Sequence, residues 1–265
     1  MNTVNESIYD HPKYYDLVFG SDYAAELQFI QDCAVGYASG RVSRMFEPAC
    51  GTGRLIYQLA RRGFTVGGLD LNPKAVGFCN DRLERWGFED RVRVADMAHF
   101  REPRKWDLAF NTINSFRHLQ TEAEADGHLD CMAKCIRKGG LYLLGVHLTP
   151  TSWSGSEGED WSASRGRVSI KTHMWEVERD PQRRLERFGI RFDVRLPSRT
   201  FRIIDELVCG LIRLCRWIGF CSVAGSGKSS RPLILLTTSK PRLKSTAAVK
   251  MWSTFCGAFK SAQAT

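Results

Sequence analysis

Short apolar runs alternate with segments of helical apolar spacing between residues 42 and 147, and beyond residue 160 the repeat of the pattern changes to two. Val42–Phe46, Thr65–Leu69, Val92–Met97, Trp106–Asn111 and Leu141–Val146 are near-continuous apolar runs, as strands covered on both faces must be. Arg54–Arg62 reads as a helix between the first two. Another begins at Asn72-Pro73, where the Asn side chain caps the first turn and Pro suits its missing N–H. Strand and helix in regular alternation imply a parallel sheet with helices on both faces, whose functional edge lies at the carboxyl ends of the strands. The segment before residue 42 reads as helical.

Further along, Val168, Ile170, Thr172 and Met174 alternate with polar residues, as do Phe188, Ile190, Phe192, Val194 and Leu196. Arg179-Asp180-Pro181-Gln182 between them is turn-like, so the two runs predict an antiparallel insertion at about residues 150–202. Ile204, Leu207, Val208, Leu211, Cys215 and Ile218 then predict one face of a helix stopped by Gly219. Phe220–Ala224 and Pro232–Thr238 read as the last two strands.

Composition narrows the class. With 265 residues, 43% hydrophobic and 11% aromatic, one elaborated domain can bury a substantial core. The reading is a single domain over 1–240, followed by a mobile basic tail over 241–265. No run reaches the roughly 18 apolar residues that a membrane helix needs, and Met1–His11 is polar without an apolar signal core, which points to a soluble cytoplasmic protein. Nine cysteines without paired metal-ligand spacing give no support to a metal site or disulfide framework. Cys33, Cys79, Cys131, Cys135, Cys209 and Cys215 read as reduced core residues of helices. The formal charge of +9 is uneven: residues 161–202 hold eleven Lys or Arg against five Asp or Glu. Such an insertion either attracts an anionic substrate or RNA, or is simply a solvated hairpin face.

The chemistry concentrates at residues 46–54, Phe-Glu-Pro-Ala-Cys-Gly-Thr-Gly-Arg, and at Asp70. Gly51-Thr52-Gly53 is a tight turn after a strand that brings bare backbone against a ligand. Asp70 ends the next strand, where a carboxylate accepts the hydroxyl hydrogens of a ribose. Nicotinamide and flavin enzymes use the same pair. Their third glycine, however, falls here at Ile56, which disfavours a pyrophosphate. Glu47 sets a negative charge beside the loop, repelling phosphate and suiting the amino and sulfonium groups of S-adenosylmethionine. Gly225-Ser226-Gly227-Lys228-Ser229 is not a phosphate loop, because Ser222 stands at the required glycine and Arg231-Pro232 follows where a helix should begin.

At this point the chain resembles the class I S-adenosylmethionine-dependent methyltransferases, over roughly residues 14–240. Asp96-Met97 resembles the family's adenine-contacting acid and its apolar neighbour, and Arg137-Lys138-Gly139-Gly140 the turn before the fifth strand, with Lys138 in place of the usual Pro. Cys50 stands where many members carry Gly. The resemblance implies an α/β fold with a Rossmann-like, doubly wound, seven-stranded sheet, mostly parallel and ending in a C-terminal antiparallel hairpin, plus a small antiparallel insertion as substrate cover. It implies S-adenosyl-L-methionine as cofactor, met by Tyr15, Glu47, Ala49, Cys50, Gly51, Gly53, Arg54, Asp70, Leu71, Asp96, Met97 and Asn111. Tyr14 and Tyr15 resemble the segment that folds over the cofactor, and Arg54 either meets the methionine carboxylate or begins its helix in solvent.

Methyl transfer has no obligatory catalytic motif, because the sulfonium supplies the leaving group and the enzyme aligns the nucleophile. His118, beyond the fourth strand, and His147, ending the fifth, are the candidate general bases. Asn111 is not followed by a Pro-Pro-aromatic sequence, and no Pro-Cys nucleophile pair is present. The reading is therefore a methyltransferase acting on an N or O nucleophile of a small molecule. The alternatives are an RNA or protein methyltransferase using the basic insertion and tail, a non-catalytic cofactor-binding protein, and an NAD-dependent oxidoreductase.

Overall fold

The structure, a computed structural model, describes residues 2–89, 91–146, 158–211 and 233–237, the last stretch by its backbone alone. In chain order it contains β1 (Asn2–Asn5), a 3-10 turn at Ile8–Asp10, α1 (Pro12–Phe19), α2 (Ala24–Tyr37), β2 (Arg44–Pro48), α3 (Arg54–Arg61), β3 (Thr65–Asp70), α4 (Pro73–Arg85) and β4 (Val92–Val94). Then come β5 (Trp106–Asn111), a 3-10 turn at Ser115–His118, α5 (Glu122–Cys135), β6 (Ile136–Val146), β7 (Glu159–Arg165), β8 (Val168–Asp180), β9 (Leu185–Arg195), β10 (Thr200–Gly210) and β11 (Leu233–Thr237).

The first sheet has the order β11-β6-β5-β2-β3-β4, and each of its pairings is parallel. Side-chain alternation sends Met45, Leu108, Phe110, Leu141 and Leu143 to one face, where they pack with Leu27 and Ile30 of α2, Leu55 and Leu59 of α3 and Leu83 of α4. Phe46, Ala109, Tyr142 and Leu144 line the other face with Met132 and Cys135 of α5. Asn72 caps α4 as expected, its Oδ1 accepting from the N–H groups of Lys74 and Ala75. Thr121 and Glu124 cap α5 reciprocally. The topology reverses between β2 and β5, and the crevice there is where a doubly wound sheet places its ligand.

The second sheet, ordered β1-β10-β9-β8-β7, covers that crevice. The expected hairpin is present, with β8 and β9 antiparallel from Ser169↔Arg195 to Asp180↔Leu185. Ile170, Ile190, Phe192, Val194, Phe201 and Ile203 face Leu17 and Val18 of α1 in a third apolar cluster.

Three expectations require correction. The helix read over Ile204–Ile218 is a strand as far as Gly210, and Cys209 is a strand residue; Cys215 and Ile218 lie outside the described residues. Thr200, Ile203, Ile204 and Val208 are β-branched, and β10 registers with β9 over its whole length, from Thr200↔Arg195 to Gly210↔Leu185. Cross-strand pairing overrides a pattern that fits both periods. The N-terminus is not wholly helical: β1, Asn-Thr-Val-Asn, precedes the helices and pairs parallel with β10, and its one apolar residue announces no period. Finally, β11 runs parallel to β6 rather than antiparallel. Its expected hairpin partner, Phe220–Ala224, lies outside the described residues, as does the tail over 241–265. Six strands of the first sheet are described where seven were expected. Among the described residues no helix is long and apolar enough to cross a membrane, and no group of His, Cys, Asp and Glu is arranged to hold a metal ion.

The two sheets are joined by a buried ion pair. Arg117, after β5, donates from Nη2 to Glu186 Oε2 at 2.5 Å and from Nε to the Gly210 carbonyl at 2.7 Å. Arg179 engages the other oxygen of Glu186. Glu186→Ala strands the buried Arg117 guanidinium, for which a loss of about 3–5 kcal/mol is expected. Urea unfolding measures it, and a loss under about 1 kcal/mol would show the junction to be held by apolar packing instead.

Candidate functional site

The site is built on the turn between β2 and α3. Ala49, Gly51 and Gly53 adopt φ of 55°, 54° and 71°, so the chain reverses in a left-handed path that favours glycine. The Cys50 N–H bonds the Leu69 carbonyl at 2.9 Å, tying the turn to β3. Asp70 Oδ2 accepts from the Gly51 N–H at 2.8 Å, and Oδ1 from the Asn72 N–H at 2.9 Å. The two glycines differ in purpose. No atom lies within 4 Å of the space a Cβ on Gly51 would take, whereas at Gly53 that Cβ would stand 2.1 Å from Cys79 Sγ of α4. Gly51 therefore leaves room for a ligand, and Gly53 lets the turn pack on a helix.

A cavity of about 900 Å3 opens over this turn. Of the residues singled out in the sequence, Tyr15, Glu47, Ala49, Cys50, Gly51, Arg54, Asn111 and His118 line it. Gly53, Asp70, Leu71, Asp96 and Met97 do not. Asp70 reaches the cavity through the Gly51 bond; Met97 Sδ is 4.0 Å from Asn111 Nδ2; Leu71 is 72% exposed. The exposed Asp96 carboxylate accepts from the Ala98 N–H at 2.8 Å. His147 lies outside the described residues. Tyr14 turns away, packing its ring on Phe201 at 5.7 Å.

Arg54 does not begin its helix in solvent. Its Nη2 pairs with Glu26 Oε2 at 2.5 Å and its Nη1 donates to the Asp22 carbonyl at 2.7 Å. Burial works against its charge, and the Glu26 carboxylate outweighs that, raising its pKa. Glu47 is in the opposite condition. Burial pushes its carboxyl well above the usual carboxylate range, against the pull of Arg54. Its Oε2, like Asn111 Oδ1, is a buried acceptor without a hydrogen-bond partner among the described residues. Asp70 is also raised by burial, opposed by the N–H groups of Asn72, Gly51 and Leu71.

The opposite wall comes from the second sheet and the N-terminal segment: Tyr9, Trp161, Met174, Phe188, Ile190 and Leu207. Tyr9 was invisible in the sequence, because an isolated Tyr before a helix carries no spacing signal. Its hydroxyl lies 3.2 Å from His118 Nε2, and its ring 5.3 Å from that of Tyr15. Withdrawal from solvent lowers the His118 pKa, opposed by Asp70 and assisted by Arg117. Asp16 fastens wall to turn: it accepts from Thr52 Oγ1 at 3.3 Å and pairs with Arg82 of α4 at 2.6 Å and Arg165 of β7 at 3.3 Å.

These residues fit S-adenosylmethionine. Two partnerless buried acceptors require donors, a turn with free space over Gly51 admits a close ligand, and a buried carboxyl that resists ionisation alone is matched by a cation. Residues 46–140 match the family model of a methyltransferase domain. A curated Streptomyces venezuelae protein, dTDP-3-amino-3,4,6-trideoxy-alpha-D-glucopyranose N,N-dimethyltransferase, is 28% identical over 138 residues, covering 51% of this chain and 56% of that protein. The match thus spans little more than half of that relative's length. The crystal structure of DesVI from Streptomyces venezuelae aligns with a TM-score of 0.72 at 22% identity, covering 81% of this chain and 89% of that one. The sugar N-methyltransferase KedS8 from Streptoalloteichus sp. aligns with a TM-score of 0.68 at 17% identity, covering 85% and 86%. Residues 46–140 thus carry a methyltransferase domain, and the aligned structures share the fold of this chain. The first sheet is a parallel α/β sheet, and the second lies over its crevice.

Glu47 makes the site sensitive to pH. Burial raises its pKa above the ordinary 4.5, so a cationic ligand that meets this carboxyl would displace a proton from it, and its affinity should rise with pH in the window above 4.5. Titration of S-adenosylhomocysteine at pH 6 in buffers of different ionisation enthalpy should show release of a fraction of a proton, up to about one. Glu47→Gln should abolish it. Release unchanged in that variant would remove Glu47 from the role.

Proposed function

We propose that this protein transfers a methyl group from S-adenosyl-L-methionine to a nitrogen of a small molecule, an amino sugar being the acceptor class named among its relatives. The observation that carries the reading is the pairing, in one cavity, of the partnerless acceptors Glu47 Oε2 and Asn111 Oδ1 with a separate wall from the second sheet. Glu47 and Asn111 receive the cationic amino acid arm, Arg54 its carboxylate, and Asp70 the ribose at the border of the turn. Leu71, Asp96 and Met97 hold the adenine end. Behind them His128, its pKa pushed down to about 4 by burial, braces the Met97 carbonyl at 3.0 Å and Tyr142 at 2.6 Å. Bound there, the cofactor supplies an electrophilic methyl carbon.

The acceptor lies between that carbon and the wall of β8, β9 and β10, in the cover read over residues 150–202. His118, its pKa lowered by withdrawal from solvent, offers a neutral imidazole beside the chamber, with the Tyr9 hydroxyl 3.2 Å from its Nε2. An ammonium group must lose a proton to present its lone pair, and the aromatic wall favours the neutral form by desolvation.

Nucleic acid fits less well. Seven of the eleven basic residues between 161 and 202 are already paired with acids: Arg165, Arg179, Arg183, Arg184, Arg187, Arg191 and Arg202. The excess of arginine in this segment thus braces the sheet more than it forms a free cationic face.

Calorimetric titration with S-adenosylmethionine, S-adenosylhomocysteine and NAD is the first test. Binding of both adenosyl ligands and not NAD is expected; NAD alone would sink the reading. Once an amino sugar acceptor is found with labelled cofactor, His118→Asn should lower kcat by roughly 10- to 100-fold and remove the acidic limb of the pH profile. Cofactor affinity should not change. An intact profile would dismiss His118 as the base.

A further inference from the structure

Glu26 has no place in the sequence pattern of a cofactor site, yet it is among the most deeply buried acids of the protein, with 1% exposure. It occupies the first turn of α2, beside Leu27 and Ile30 of the core. A carboxylate so buried destabilises a fold unless both oxygens are matched. Both are. Oε2 takes Arg54 Nη2 at 2.5 Å, and Oε1 accepts from the Thr112 hydroxyl. These partners are 28 and 86 residues away in sequence. Arg54 opens α3 after the glycine turn, and Thr112 follows Asn111 at the end of β5; both line the cavity.

We infer that Glu26 is a positioning residue that aims the Arg54 guanidinium at the carboxylate of the cofactor's amino acid arm and locks the end of β5 to the same point. The inference rests on the cofactor reading of this cavity. Its physical content is orientation. An arginine side chain is long and flexible, and its planar fork holds a carboxylate only when its plane is fixed. The Glu26 carboxylate and the Asp22 carbonyl engage separate Nη atoms, which fixes that plane while using two of the five donors. Through Thr112 the same carboxylate sets the backbone beside Asn111, whose Oδ1 is a partnerless acceptor on the cavity. One buried acid thus sets the spacing between a donor for the carboxylate and an acceptor for the neighbouring amino group.

The test compares two ligands that differ only in the carboxylate: S-adenosylhomocysteine and its decarboxylated analogue, S-adenosyl-3-thiopropylamine. In the wild-type protein the first should bind more tightly. Glu26→Gln should weaken S-adenosylhomocysteine by about tenfold, a change of about 1.4 kcal/mol, and leave the decarboxylated analogue within about twofold. Glu26→Asp, which keeps the buried charge and shortens its reach, should show the same selectivity to a smaller degree and serves if the Gln variant does not fold. Equal losses for both ligands, or none for either, overturn the positioning role. If the wild-type protein binds neither ligand, the cofactor reading itself fails, a result distinct from binding both without preference, which removes only the Arg54 carboxylate contact and this inference with it.

Discussion

The cavity exists because a charge is buried between two sheets. Arg117 stands at the carboxyl edge of the parallel sheet, and its guanidinium is consumed by Glu186 of β9 and by the carbonyl that ends β10. Neither partner is exposed beyond 6% at its side chain, so the pair is worth its desolvation only when both sheets are in place. The constraint propagates in both directions along the chain. Phe116 is buried in the core of the first sheet, while His118, one residue after Arg117, faces the cavity. On the cover, Glu186 sits one register step from Phe188, whose side chain forms the far wall. Apolar burial alone would allow the second sheet to slide over the first. A hydrogen-bonded ion pair in low dielectric tolerates far less displacement.

The same economy governs the cofactor side. Glu26 and Glu47 share one cation, Arg54, and Asp70 lies near Glu47. Glu26 pairs with Nη2 of that cation, the N–H groups of Gly51 and Asn72 satisfy Asp70, and Glu47 is left with its Oε2 unmatched. A site whose fixed charges lean negative, and whose partnerless buried atoms Glu47 Oε2 and Asn111 Oδ1 are acceptors, suits a ligand that brings donors and positive charge beside them. It disfavours a pyrophosphate for the same reason, independently of the isoleucine that replaces the third glycine. Packing at Ile56 and charge around Glu47 thus lean the same way, away from a pyrophosphate.

How much of this was legible depended on whether the signal was local. The first sheet was readable because parallel strands buried on both faces must be apolar throughout, and Asn72-Pro73 is a cap that works within four residues. Gly51 and Asp70 were readable because a turn and a strand end constrain their residue types. Gly53 was named for the right motif and a different reason, since its missing Cβ accommodates Cys79. The β10 strand was misread because Ile204, Leu207, Val208 and Leu211 satisfy a helical repeat while Phe201, Ile203, Leu207 and Cys209 satisfy alternation; only the register with β9 decides between them. Glu26, Tyr9 and Asp16 carried no signal at all. Each acts through partners far away in sequence, such as Thr112, His118 and Arg165, and no window along the chain contains such a pair.

That division between local and distant signals has a mechanical counterpart. The turn at Ala49–Gly53 is held by bonds to its neighbouring strand and helix, so it retains its shape whatever the cover does. The cover reaches the turn through Asp16, and there the two arginines differ: the Arg82 side chain is 19% exposed and that of Arg165 is 63% exposed. The bridge from Arg82 is internal to the cofactor half and sheltered, whereas the bridge from β7 is solvated and correspondingly weak. Arg117 anchors the opposite end of the second sheet firmly. Of these two polar tethers of the second sheet, the one at Arg117–Glu186 is buried and the one at Arg165 is solvated.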